Sequence, residues 1–223
     1  MNLWKLFLIL FLLAYFFTGG EAQVMYNKLM DEVMAAVREN IKNSKQDMID
    51  TPELYSTWKY QWTFFDITGY CSCRMGTVRS MASIARTGQT TESKSGDKST
   101  IKTKLSLKHL VFKFKNCHFQ AQQWFSLTRT ISGKVGKNSI DVVISMTTRQ
   151  GKCDANVERV VLDNYGDLQV ETGGGPLVEI ENKIFEWFSG YFRNKIINII
   201  NRALGDSIRQ ALLKVDLCAK IPH

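Results

Sequence analysis

The chain predicts an α+β protein in which a long curved antiparallel sheet wraps around an N-terminal helix and a long C-terminal helix. Three observations carry this. Apolar residues recur with a helical period near both ends of the 223-residue chain. They alternate one in, one out through the middle. The run Gly173-Gly174-Gly175-Pro176 separates the two regimes.

Residues 1–22 read as a secretory signal peptide. Lys5 supplies a positive start, and Leu6 to Phe17 is an unbroken apolar or aromatic run. Gly20-Glu21-Ala22 then sets small residues at −3 and −1 of a cut before Gln23. A membrane-spanning helix needs about 20 apolar residues, and this run ends sooner. The expected product is residues 23–223, a single domain exported from the cell. Its formal charge stays +8, because the removed piece carries one Lys and one Glu. No lipidation or retention signal stands at Ala219–His223.

The first helix is expected from Met25 to about Lys45. Leu29, Val33, Val37 and Ile41 fall four apart, with Met30 and Met34 beside them, and the charged residues lie mostly elsewhere on the wheel. Thr51-Pro52 bounds the segment, since a residue before proline avoids the α region. Strands follow. Tyr60, Trp62 and Phe64 share one parity. Ile101, Leu105 and Leu107 alternate with Lys102, Lys104 and Lys108. At His109-Leu110 the parity flips to Leu110, Phe112 and Phe114, as at a β-bulge or sharp bend within one strand. Phe125, Leu127 and Ile131 form a further run, and Ile140, Val142, Ile144 and Met146 another. Turn signals separate the runs, and Gly88–Asp97 is the expected mobile hairpin tip. After Pro176 an apolar stripe from Ile180 to Leu212 predicts one helix to about Lys214, roughly 55 Å long at about 1.5 Å per residue.

Catalytic constellations are missing from the sequence. His109, His118 and His223 hold no metal-helix spacing, and there is no Gly-x-Ser-x-Gly elbow. Cys71, Cys73, Cys117 and His118 could be drawn as a zinc cluster, but an exported chain favours disulfides. The expectation is therefore a non-enzyme with no metal and no cofactor. The five cysteines Cys71, Cys73, Cys117, Cys153 and Cys218 are an odd number, so one stays free or links a second chain as a disulfide-bonded dimer. A hairpin turning within Gly88–Asp97 would set Cys117 opposite Cys71 or Cys73. Cys153 then pairs with Cys218, or competes for Cys117.

Two features suggest partners. Bulky apolar residues on helices and strands can line a groove as well as fill a core. The lysines Lys102, Lys104, Lys108, Lys113 and Lys115 form a basic stripe that suits an anionic surface. Outside the cell, that means lipid or glycan rather than nucleic acid.

The assembled layout resembles the group 7 mite allergens and their arthropod relatives. More distantly it resembles the tubular lipid-binding superfamily of bactericidal/permeability-increasing protein, lipopolysaccharide-binding protein, juvenile-hormone-binding and takeout proteins. Tyr26-Asn27-Lys28-Leu29, Asp66-Ile67-Thr68-Gly69, Met75 to Met81, Gly173 to Leu177 and the final helix carry the resemblance, from Val24 to Lys214. It implies a curved sheet around two helices, an apolar groove, a lipid-like ligand and no catalysis. The resulting expectation is a secreted carrier or sensor of a hydrophobic small molecule or lipid. Val37, Ile41, Trp62, Phe64, Phe112, Phe188, Phe192, Ile196 and Ile199 are its candidate lining residues. The rival is a cationic membrane-active defence or venom protein that uses the lysine stripe on anionic bilayers.

Overall fold

The structure is a computed structural model. It describes the backbone of residues 3–62, 64–122, 125–150, 152–164, 166, 168–171, 190 and 193–220, with side chains from Ala22 onward. Helix α1 spans Leu3–Asn43. Its apolar stripe from Leu29 to Ile41 is buried, as the four-residue spacing requires. The helix stops before the proline signal. Lys45 takes a left-handed conformation (φ 57°). The Gln46 amide donates to the Ile41 carbonyl at 2.9 Å and the Lys45 amide to Lys42 at 3.1 Å, which satisfies carbonyls left over at the helix end.

Eleven strands follow among the described residues. They are β1 (Met48–Thr51), β2 (Leu54–Trp62), β3 (Phe65–Arg79), β4 (Ile84–Arg86), β5 (Thr91–Ser95), β6 (Lys98–Leu107), β7 (Leu110–Ala121), β8 (Phe125–Val135), β9 (Ser139–Arg149), β10 (Lys152–Asn164) and β11 (Leu168–Glu171). A short 3-10 turn, Met81–Ser83, joins β3 to β4. Helix α2 spans Arg193–Leu212 and α3 Leu217–Lys220. The start expected for the long helix, with Phe188 and Phe192, lies outside the described residues.

The expected antiparallel sheet is present as two sheets. The first runs β1-β3-β7-β8-β11, with β2 also paired to β3. The second runs β10-β9-β6-β4, with β5 also paired to β6. The parity flip at His109 is therefore no bend within one strand. The chain leaves the second sheet after Leu107 and enters the first at Leu110. It crosses back between Val135 and Ser139, and buried Asn138 stitches the two crossings together. The Asn138 Oδ1 accepts from the Leu107 amide at 2.8 Å, and its Nδ2 donates to the Leu107 carbonyl at 2.7 Å. The return turn beyond β10 closes against this crossing. Gly166 has φ 54°, and an added Cβ would fall 1.4 Å from the Lys137 carbonyl oxygen, so only glycine fits.

Gly88–Asp97 is not a free tip. Thr91–Ser95 pairs with Lys98–Lys102, and the turn is confined to Gly96-Asp97. A bulge does occur, but within β7: Phe114 faces Ile131 and Cys117 faces Arg129, so Lys115 and Asn116 span a register shift. This lets Phe112 and Phe114 point inward on even numbers and Cys117, Phe119 and Ala121 on odd ones.

The helices pack against the second sheet. α2 lies on β10, and α1 lies on α2, β4 and β5. Polar ties fasten α1 in place. Arg86 binds both carboxylate oxygens of Asp31 at 2.9 and 2.8 Å. The Tyr26 hydroxyl donates to Glu92, and the Thr90 amide donates to Asn27 Oδ1 at 2.8 Å.

Candidate functional site

Among the described residues, the sequence-predicted lining residues do not converge on one open groove; Phe188 and Phe192 lie outside them. Val37, Ile41, Phe112 and Ile196 are buried core. Phe112 packs onto Gly133, where an added Cβ would come within 2.1 Å of the ring, and its centroid lies 6.4 Å from that of Phe114. Ile199 is half-buried on α2. Trp62 is placed by its backbone at the end of β2. Phe64 sits in the β2–β3 turn and is 99% exposed, so it lines nothing.

A different apolar surface is open. Along the inward face of the first sheet, burial is complete near Val78, Phe112, Ile131 and Val135 and gives way toward the β2–β3 turn. There Trp58, Ile67, Gly69 and Leu127 are only half-buried, with Phe119 between them. Register puts these on one face. Trp58 opposes Gly69, Gly69 opposes Ala121, and Phe119 opposes Leu127. The Trp58 ring lies over Gly69, within 2.3 Å of where a Cβ would stand. Two surface hollows lie elsewhere, one on α1 beside Asn27 and Asp31, the other between β10 and α2 beside Val157 and Asn201. Neither includes this strip.

The strip ends at Arg129. Its position shares the inward parity of Leu127 and Ile131, it opposes Cys117, and it is half-buried. Sequence reasoning passed over it, although an arginine in the apolar parity set Phe125, Leu127, Ile131 was the available signal.

The floor beside Arg129 is cross-linked. Cys73 and Cys117 form a disulfide across β3 and β7, with Cα atoms 4.0 Å apart, and Cys153 bonds Cys218. Both partnerships match the sequence expectation, but β3 and β7 meet by a long excursion through the second sheet rather than by a hairpin at Gly88–Asp97. The odd cysteine is Cys71. It is buried, its Sγ 3.9 Å from that of Cys73, and burial pushes its thiol pKa up. A bond from Cys71 to a second chain would require the sheet to open, which corrects the expectation of a dimer linked through the odd cysteine.

The lysine stripe is divided between the sheets. Lys102 and Lys104 lie on the outer face of the second sheet, and Lys104 pairs with Asp141 at 3.4 Å. Lys108 stands in the crossing turn. Lys113 and Lys115 lie on the outer face of the first sheet. Register brings Arg79 and Lys134 near them, because Arg79 opposes Val111 and Val111 opposes Lys134. Asp50 and Glu171 stand at the edges of the neighbouring row. Exposed Met48 and Met75 add apolar surface to this face.

Among the described residues no group of three His, Cys, Asp or Glu side chains could hold a metal, and no helix is long and apolar enough to cross a membrane. The sequence model of the group 7 allergen family matches residues 25–212. The chain belongs to the group 7 allergen family. Among solved structures it is similar to the crystal structure of lipopolysaccharide binding protein, with a TM-score of 0.53 and 11% identity over 82% of this chain and 36% of that one. The chain thus spans about a third of that protein, and at this identity the likeness establishes the fold. A search of curated protein sequences gave no match.

Proposed function

We propose that this group 7 allergen-family protein is a secreted, non-enzymatic carrier or sensor of a lipid-like ligand, exported after cleavage behind Ala22. The observation that carries the reading is the apolar strip on the inward face of the first sheet, where Trp58, Ile67 and Leu127 are half-buried around buried Phe119. Apolar area left accessible on such a face stabilises a bound alkyl chain by roughly 25 cal/mol per Å² removed from water. The solved neighbour, by its name a binder of lipopolysaccharide, supports a lipid-like ligand here. Native mass spectrometry of the purified protein should show a co-purified lipid, and a neutral apolar fluorophore should bind and be displaced by long-chain lipids. A protein that carries nothing and binds no apolar probe would refute the reading.

A second reading rests on the basic outer face of the first sheet. Arg79, Lys113, Lys115 and Lys134 fit an anionic lipid surface, and Met48 and Met75 fit its apolar boundary. Binding to acidic vesicles should fall with added salt. Replacing Arg79, Lys113 and Lys134 by Gln should weaken it more than replacing Lys102, Lys104 and Lys108. Equal binding to neutral and acidic vesicles would refute it.

A further inference from the structure

We propose that Arg129 is the head-group anchor of the ligand site and that it selects a long-chain carboxylate. This inference rests on the lipid-carrier reading above.

Arg129 occupies an inward position on β8, in the same parity as Leu127 and Ile131. It makes no hydrogen bond or ion pair with any described residue, yet it is half-buried. A guanidinium cannot escape its charge by losing a proton, so partial burial without an anion costs free energy that a bound anion recovers. At the inward-facing positions of β2, β3, β7 and β8 among the described residues, Arg129 is the only cation. One planar, singly charged guanidinium matches one planar, singly charged carboxylate through two parallel N–H···O bonds.

The surroundings supply the rest of the site. β11 pairs only with Ser132–Val135 of β8, so among the described strands Arg129 stands at the sheet edge, where a carboxylate stays partly hydrated. From that edge the apolar strip leads inward across Leu127, Phe119 and Ile67 to Trp58. Three strand spacings separate β8 from β2, about 14 Å at about 4.8 Å each, which is a path for an alkyl chain lying across the strands. The Cys73–Cys117 disulfide, in register with Arg129, holds the floor in place.

The test compares oleate with methyl oleate, each displacing a neutral naphthylamine fluorophore from wild type, Arg129→Met and Arg129→Lys. The expected result is at least tenfold tighter binding of oleate than of methyl oleate to wild type. Arg129→Met should lose that preference with methyl oleate binding unchanged, and Arg129→Lys should keep part of it. Thermal melts establish that each variant is folded. If Arg129→Met is not, the Lys variant and the wild-type preference decide. Methyl oleate and oleate binding equally to wild type, or an oleate preference that survives in Arg129→Met, would overturn the anchor and leave the carrier reading standing. Binding of neither would overturn both.

Discussion

The two sheets use the same alternation for opposite ends. In the second sheet every inward position from Ile101 to Leu107 and from Ile140 to Met146 is buried, and even the polar Thr103 is paired, its hydroxyl 3.2 Å from that of Thr90. Helices α1 and α2 cover this sheet. In the first sheet the inward positions start buried and end half-exposed, with Arg129 among them, which has no partner among the described residues. Apolar alternation therefore says that a face is shared by its residues. What lies on top of that face decides between a dry core and a site.

That contrast is easiest to break by truncation. Leu105→Ala in the second sheet should cost about 2–5 kcal/mol, as a large-to-small change in a closed core does. Leu127→Ala in the first should cost about 1 kcal/mol, because less area is lost from burial, while apolar-probe binding weakens. Paired thermal melts and probe titrations check both. Equal stability losses with unchanged probe binding would make the open end ordinary core.

The disulfides sharpen the comparison next. Cys153 and Cys218, 65 residues apart, tie α3 to β10 at the covered end. Replacing both by Ser should cost about 2–4 kcal/mol through the freed unfolded chain, with probe binding retained. Replacing Cys73 and Cys117, 44 residues apart, should cost about as much. It should also weaken probe binding, since that bond underlies the strip. Denaturant unfolding and probe titration separate the two effects.

The smallest effect concerns pH. Burial, and then the hydrogen bond to Glu92, raise the Tyr26 phenol pKa above its usual value. A raised folded-state pKa gives stability that is present below the unfolded value of about 10 and lost as pH rises through and beyond it. Unfolding midpoints from pH 8 to 11 should therefore fall, and Tyr26→Phe should flatten the fall. Acid acts at both ends instead. Lys220 lowers the Glu32 pKa, Ser72 and then Arg74 lower that of Glu53, and Lys98 and then Ser145 lower that of Glu158. These carboxylates are exposed, so stability should decline only gently as pH drops below the ordinary carboxylate range.

From residue order alone, the element types could be read, and the cysteine partners only as alternatives. Four-residue spacing marks a helix and two-residue spacing a strand because those periods come from local backbone geometry. Leu29 to Ile41, Ile101 to Leu107 and Ile140 to Met146 behave accordingly. The disulfides were narrowed but not settled: the turn used to place Cys117 opposite Cys71 or Cys73 is not where β3 and β7 meet, and only the register of β3 on β7 selects Cys73. Which sheet each strand joins was out of reach, so the flip at His109 read as a bend and five lysines read as one stripe. Parity is relative: it shows that Leu127, Arg129 and Ile131 share a face, and long-range packing decides whether that face is sealed or open. For the same reason Phe112 and Arg129 looked interchangeable with core and surface in sequence. Only the tertiary structure left Phe112 buried and Arg129 half-buried on the same inward face of the first sheet.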